Sequence, residues 1–362
     1  MYFQKYFSSI PDPRDIRKID HLLTDIIGLA VIGTIAGCEG YEDIEDFGNE
    51  RREWLSKYLQ LPCGIPSHDT IERLFAAINP IEFNSCFSLW VQQSFGLSDE
   101  QLLHVDGKSN RRSMDSYRGI KMLHAVNVFA GTHHLSLGQF KVDEKSNEIT
   151  AIEPLLNTLD IKDKTITIDA MGCQKEIAEV ITAKEGNYIL AVKDNQKQLH
   201  EEIESAFRST PIVDTDATIE KDHGRIEERG CSIISDLRFV DESVNWPALY
   251  CIIRIISKRT IGDITTIETR YFISSAKGKA DFYLRAIRSH WGIENRLHWM
   301  LDMLFDEDYC RKRKDNAAEN FNLIRKMALN FIRYYKGDKK SLRRRRLNAS
   351  WDCSYIEKLL EI

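Results

Sequence analysis

Residues 165–193 read TITIDAMGCQKEIAEVITAKEGNYILAVK, and the fold turns on how that run divides. TITI is β-branched and apolar and reads as a buried strand, ending at Asp169 and Gly172. CQKEIAEVITAKEG carries apolar residues three and four apart, which predicts a helix closed by Gly186. NYILAVK is a further strand, and a helix from about Asn195 to Phe207 follows it. Strands alternating with helices of this length imply parallel pairing through helical crossovers.

Upstream of that unit, LLHVDG is expected to form a short strand ending at Asp106. KMLHAVNVFA and HHLSLGQFKV read as two more strands, with Gly131 and Thr132 in a tight hairpin. KSNEITAIEPLLNTL predicts a helix capped by Ser146 or Asn147. The order β-β-β-α-β-α-β-α gives an α/β class, a mixed sheet with an antiparallel meander first. Residues 1–98 read as helices: one from Asp20 to about Cys38 ended by Gly40, one from Tyr41 through DIEDFGNERREWLSKYL, and one started by Asp69 and Glu72. A short helix pair of this kind can enter a DNA groove. Downstream, residues 212–275 contain the strands GRIEERGCSIIS, YCIIRIISKR and TIETRYFISSA and no helix, so they read as a β-rich insertion. Helical periodicity returns at Ala280 and lasts to about Tyr335. The expected organisation is a helical domain at 1–98, an α/β domain at 99–335 and a basic tail at 336–362 that carries Arg343–Arg346.

The chain has 362 residues, 43% of them apolar, which suffices for a real core. Its net charge of −5 hides an asymmetry. Between Arg311 and Arg346 there are fourteen lysines and arginines against three acids, so that segment carries +11 and the rest −16. A basic block on an acidic body suits a polyanion, although a solvated helix face gives the same count. The eight cysteines are scattered without a C-x-x-C pair, which argues against a zinc ribbon and a disulfide framework and fits a reducing cytosol. The opening MYFQKYFSSIPDPRD lacks a secretory pattern, and the most apolar window, Ile26–Ala36, falls short of the ~20 residues of a membrane helix. A cytoplasmic protein without a membrane partner is expected.

Two aspartates, Asp106 and Asp169, close predicted strands, where α/β sheets collect functional groups. Held close together they repel unless a cation sits between them, and a hard divalent ion such as Mg²⁺ is the natural occupant. A third carboxylate from a helix packed across the sheet would complete a two-metal site for phosphoryl displacement. The helical run IRSHWGIENRLHWMLDMLFDED, residues 287–308, supplies candidates. His290, Glu294, His298 and Asp302 share one stripe, while Ile287, Trp291, Leu297, Leu301 and Leu304 cover an apolar face. The stripe lacks H-E-x-x-H, which excludes a zinc-protease reading. Spacing alone leaves Asp302, Asp306, Glu307 and Asp308 as rivals to Glu294, and also leaves an ordinary polar stripe.

The blocks PSHDTIERLF, VDGKSNRRS, SLGQFKVDEKSNEITAIEPLL, TIDAMGCQKEIA, YILAVKDNQ, HGRIEER, the 287–313 run and NAAENFNLIRKMALN closely resemble the DDE transposases of bacterial insertion sequences, in the group that includes the H-repeat-associated proteins. The resemblance implies an RNase H-like core interrupted by a β insertion before the last catalytic helix. It also implies the triad Asp106, Asp169 and Glu294 holding two Mg²⁺ ions (Mn²⁺ able to substitute). The implied partners are double-stranded DNA, namely terminal inverted repeats and a target, with a homodimer to pair two ends. Where the wider clan carries Tyr, Arg and Lys around the glutamate, this chain has Ile287, His290 and Leu301, with Arg288, Arg296 and His298 nearby as substitutes. Candidate DNA contacts are Lys108, Arg111, Arg112, Lys193, Arg225, Arg229, Arg288, His290, Arg296, His298, Arg311, Lys312, Arg313 and Lys314. The competing readings are an RNase H-like nuclease that cuts without joining, and a non-catalytic DNA-binding relative.

Overall fold

The computed structural model describes residues 3–361 apart from 115, 116, 118, 120, 143–147 and 223. Helices α1 (Gln4–Phe7), α2 (Leu23–Ala36), α3 (Tyr41–Glu50), α4 (Arg52–Leu55), α5 (His68–Ala77) and α6 (Pro80–Ser94) precede the first strand. The α/β part runs β1 (Leu102–Asn110), β2 (Leu123–Ala130), β3 (Ser136–Lys141), α7 (Glu148–Asn157), β4 (Thr165–Ile168), α8 (Lys175–Ala183), β5 (Asn187–Val192) and α9 (Lys197–Ser209). Four strands follow: β6 (Asp214–Asp222), β7 (Arg225–Ile234), β8 (Cys251–Ile261) and β9 (Ile264–Ser274). The chain closes with α10 (Ala280–Ile293), a π-helical turn (Glu294–His298), α11 (Trp299–Phe305), α12 (Ala317–Tyr334), α13 (Leu342–Trp351) and α14 (Cys353–Leu360).

All nine strands form one mixed sheet in the order β3-β2-β1-β4-β5-β9-β8-β7-β6. The meander β3-β2-β1 is antiparallel, and β1, β4 and β5 are mutually parallel neighbours, as the RNase H-like expectation requires. The insertion does not stand apart. Its last strand, β9, pairs antiparallel with β5, so β6–β9 continue the central sheet. The insertion also holds a fourth strand beyond the three expected. That strand, β6, is mostly exposed and reads DTDATIEKD, without the apolar alternation that marks a half-buried strand.

Several local expectations change: α2 starts at Leu23, with Leu22 and not Asp20 at its cap, and the helix expected from Tyr41 breaks at Arg51 into α3 and α4. β1 extends past Asp106 to Asn110, because β2 goes on pairing with it after β4 has stopped at Ile168. Gly37, at φ 117, ends α2 in the left-handed conformation that glycine tolerates, and Gly40 instead begins α3. Ser67, not Asp69, caps α5 by accepting from the Thr70 amide. The expected Ser146 or Asn147 cap of α7 lies outside the described residues.

The N-terminal helices share a hydrophobic core with the sheet and with α12. Asn320 of α12 donates to the Phe75 and Ile78 carbonyls at the end of α5 (2.8 and 2.9 Å). Asn330 exchanges two hydrogen bonds with the Ser136 backbone, covering the free edge of β3. The helices α3 to α5 expose both acids, among them Glu42, Asp46, Glu50 and Asp69, and bases, among them Arg51, Arg52 and Arg73.

The basic block is also not a tail. Residues 342–351 form α13, which packs on α2. Arg345 is buried and bonds the Ile332 carbonyl and Asp338. Arg346 donates to the Thr34 and Leu304 carbonyls. Lys326, fully enclosed, donates to Gln139, while Arg325 bonds Asn322 and Arg333 bonds the His134 and Arg296 carbonyls. Much of the +11 therefore staples helices together. Among the described residues no single helix is long and apolar enough to cross a membrane.

Candidate active site

Side chains alternate across a strand, so one face of the sheet can be read from the register. Asp106 of β1, Thr167 of β4, Asp169 just beyond it, Ile189, Ala191 and Lys193 along β5, and Phe272 and Arg270 of β9 all point to the same side. Helix α10 and the π turn lie across that face and contribute Ile287, His290, Trp291 and Glu294. Floor and roof enclose a cleft of about 480 Å³ that Asp106, Asp169 and Glu294 all line.

Each carboxylate is positioned by a different device. Asp106 sits one residue past the last β1–β4 pair, Val105 with Ile168, where the β4 side of the strand opens. Asp169 Oδ1 accepts from the Met171 and Gly172 amides (3.1 and 3.3 Å), which holds the turn into α8. That turn needs Gly172, because a Cβ there would lie 2.3 Å from Ile168 Cγ2. Asn195 and Gln196, just past β5, donate to the Ala170 and Cys173 carbonyls and brace the same turn.

Glu294 opens the π turn, in which the Trp299 amide bonds back to the Glu294 carbonyl. A four-residue stripe on an α-helix drifts by about 40° per step. The wider π turn, bonded i to i+5, winds part of that drift back. His290, Glu294, His298 and Asp302 consequently all stay directed at β1 and β4. His298 Nδ1 lies 3.0 Å from Glu294 Oε2 and 3.8 Å from Asp106 Oδ2, and its side chain is only 3% exposed. Asp106, Glu294 and His298 offer ligand atoms within 4.8 Å of one another, a separation a single cation can bridge.

Burial pushes the Asp106 carboxyl up to about 6, with the charge of His298 opposing the rise and that of Asp169 adding to it. Glu294 moves the other way. The hydrogen bond from His298 holds its carboxyl below the usual range, and the Lys108 charge contributes. Beneath the cleft, Thr167 Oγ1 bridges His104 Nδ1 (2.6 Å) and His290 Nδ1 (2.7 Å). Burial lowers the two imidazoles to about 3 and about 4.

Several expected DNA contacts are committed elsewhere. Lys108 is 11% exposed, and its Nζ lies 2.6 Å from Asp302, 3.4 Å from Glu307 and 4.0 Å from Asp308. It also donates to the His298 carbonyl (3.3 Å). Asp302, Glu307 and Asp308 thus face Lys108, and neither they nor Asp306 line the cleft that Glu294 lines. His290 is neutral at pH 7 and His298 is buried, so neither offers a free cation to a phosphate. Lys312 donates to the Glu39 carbonyl and lies over the Tyr41 and Phe321 rings. Arg313 donates to the Arg112 carbonyl. Arg225 and Arg229 pair with Glu227, and Arg288 with Glu220, which ties α10 to the insertion. Arg296 is exposed and contacts His134. Lys193, Arg111, Arg112, Arg311 and Lys314 are exposed around the cleft and the 306–316 loop.

Sequence reasoning missed Asn127, Thr167 and Arg270. The first two are buried polar residues inside apolar strand patterns, and that contrast is a readable signal. Trp291, expected on an apolar face, is 50% exposed at the cleft mouth, with Arg270 stacked on its ring. The family model described as Transposase DDE domain matches residues 90–331, and the DDE_Tnp_1-associated model matches residues 4–91. The chain belongs to the DDE transposase family. It is 42% identical to the "H repeat-associated putative transposase YhhI" of Escherichia coli K12, over 98% of this chain and 97% of that one. It is 42% identical to the "Putative transposase YncI" of E. coli O157:H7, over 98% and 93% of the two chains. An uncharacterized protein of the dhlA 3′ region in Xanthobacter autotrophicus is 37% identical over 75% of this chain and 93% of its own length.

Proposed function

We propose that this transposase binds the terminal inverted repeats of an insertion sequence, nicks DNA there in a metal-dependent reaction, and joins the freed 3′-OH to target DNA. The observation that carries the reading is the convergence of Asp106, Asp169 and Glu294 on one cleft from three separate elements. The donor set fits divalent cations. It is rich in carboxylate oxygen, and partial burial, with the charge of Asp169 adding, holds the Asp106 carboxyl above its ordinary range. Asp106, Asp169 and Glu294 would hold Mg²⁺, or Mn²⁺ in its place, and a pair of such ions supplies activation of the attacking oxygen and stabilisation of the leaving one.

The remaining work falls to the chain itself. Lys193 on the cleft floor can neutralise a scissile backbone, and the exposed Arg112, Arg311 and Lys314 offer further phosphate contacts, whereas Arg270 is held by Glu268 and Arg111 pairs with Asp308. Nicking and joining are both phosphodiester displacements, so one site serves both without an energy cofactor. A homodimer on double-stranded DNA would bring two element ends together.

The test is strand cleavage and joining on labelled DNA carrying the gene's own flanking termini, with Mg²⁺, for wild type and Glu294→Ala. Nicked and joined products that vanish in the variant support the reading. Nicking without joining selects the RNase H-like nuclease. Salt-sensitive binding with no cleavage selects a non-catalytic relative, a fate with precedent in a relative named an inactive transposase.

A further inference from the structure

We infer that His298 is itself a metal ligand, binding through Nδ1 the ion that Asp106 and Glu294 share, and that it tilts this site toward Mn²⁺ over Mg²⁺. The inference rests on the metal-site reading above and adds a nitrogen to an otherwise oxygen donor set.

The separations fit a coordination sphere as well as the hydrogen bond between His298 and Glu294. A cation about 2.1 Å from each ligand in octahedral geometry places neighbouring ligands about 3.0 Å apart and opposite ones about 4.2 Å apart. Glu294 Oε2 and His298 Nδ1 stand 3.0 Å apart, the neighbouring separation. Asp106 Oδ2 is 3.8 Å from the same nitrogen, between the two limits, and the three ligand atoms lie within 4.8 Å of one another. The π turn is what puts Glu294 and His298 side by side while both face Asp106. His298 is almost wholly buried, so it cannot serve solvent or a DNA backbone instead.

The far side of the ring carries the second observation. A ligating histidine ordinarily donates its other ring N–H to an acceptor that fixes the tautomer. His298 Nε2 lies 3.5 Å from the side-chain amide of Asn127, whose Nδ2 also donates to the Ala125 carbonyl. Asn127 Oδ1 is buried and has no hydrogen-bond partner among the described residues. A half-turn of this amide would let Nε2–H donate to Oδ1, at the cost of the Ala125 bond and with Oδ1 turned toward the Ala125 carbonyl oxygen. Nδ1 is then left with its lone pair toward the carboxylates. Asn127 lies directly opposite Asp106 in the β1–β2 register, so the second partner is built into the same sheet as the first ligand. Imidazole nitrogen is a poorer donor for Mg²⁺ than for Mn²⁺ and later metals, and this sets the direction of the preference.

The decisive experiment needs no variant. Mn²⁺ is added to DNA-free wild-type protein, and electron spin echo modulation is compared between natural-abundance protein and protein labelled with [¹⁵N]histidine. Nitrogen modulation that changes with the label supports the assignment. Bound Mn²⁺ with no histidine-dependent modulation overturns it and leaves His298 as a positioning residue that donates to Glu294. If the Mn²⁺ spectrum shows no binding at all, the metal-site reading itself fails, which is a separable result. As a second measurement, His298→Gln is expected to weaken Mn²⁺ binding roughly tenfold or more, and Mg²⁺ binding by less. Equal losses for the two ions would overturn the preference.

Discussion

Replacing Lys108 with methionine separates the two roles open to that lysine. Burial alone would lower its pKa, but Glu307, Asp302 and Asp308 outweigh it and hold the ammonium charged above its ordinary value. Glu307 is 1% exposed and one of its oxygens has no hydrogen-bond partner among the described residues, so Lys108 is a principal compensation for that charge. Removing one partner of a buried ion pair costs about 3–5 kcal/mol. Asp302 and Asp308 are partly exposed, which places the expected loss near the lower bound, about 3 kcal/mol. At about 2 °C per kcal/mol for a large chain, Tm should fall by about 6 °C. Because the unpaired Glu307 charge carries most of the penalty, Lys108→Met with Glu307→Gln should recover a good part of the loss in a double-mutant cycle. The assays are thermal melting and DNA binding across a salt series. An unchanged Tm with weaker binding and a shallower salt slope would refute this reasoning and restore Lys108 as a phosphate contact.

Three further outcomes are expected. With its folded pKa near 6 against an ordinary 3.8, metal-free Asp106 binds protons more tightly folded than unfolded, so its ionisation costs stability progressively as pH rises from about 4 to 6 and fully above. In EDTA, Asp106→Asn should therefore match wild type near pH 4 and exceed it by about 3 kcal/mol at pH 7.5 in urea titrations, and a pH-independent gap would contradict this. Gly107→Ala should lower Tm, because the new Cβ would lie 2.2 Å from Glu148 Oε1 and displace the carboxylate from its 2.6 Å bond to His124; overpacking of this kind costs about 1–3 kcal/mol, and adding Glu148→Ala should relieve it. Arg345→Ala should destabilise by about 2 kcal/mol, since it leaves the buried Ile332 carbonyl unpaired, yet keep the salt slope of DNA binding; a changed slope would reinstate the basic tail.

The strand–helix alternation of 165–193 was legible because buried parallel strands and amphipathic helices leave strong local periodicities. The ends of elements were less so. β1 runs past Asp106 because β2 goes on pairing there, and pairing with a distant strand leaves no trace in LLHVDGKSN. β6 escaped notice because an exposed edge strand has no apolar face to declare it. Charge counting failed for a related reason. A lysine in a sequence shows its charge but not its partner, so Lys108, Lys312 and Arg345 all looked available to a polyanion. Each is instead satisfied by a carboxylate, a carbonyl or an aromatic ring. The π turn was invisible as well, since IENRLHW satisfies an α-helical pattern, although the spacing by four of His290, Glu294, His298 and Asp302 becomes a straight row only once the turn is present.

The sheet register explains why the insertion belongs to the site. β5 would be an edge strand without β9, and its cleft-facing residues Ile189, Ala191 and Lys193 would form a wall open to solvent. Pairing with β9 closes that wall with Phe272 and Arg270, and the apolar face of β7 and β8 gives α10 a second core to rest on, through Ile253, Ile255, Tyr283 and Ile287. Arg288 then ties α10 to Glu220 on the outermost strand. The orientation of the roof helix, and with it the distance from Glu294 to Asp106, is therefore set from both sides. The insertion fixes its N-terminal half through α10, and Lys108 of β1 grips its C-terminal half at the His298 carbonyl and Asp302. The π turn lies between these two anchors, so the helix can be held at both ends while its middle still presents Glu294 and His298 to the same aspartate.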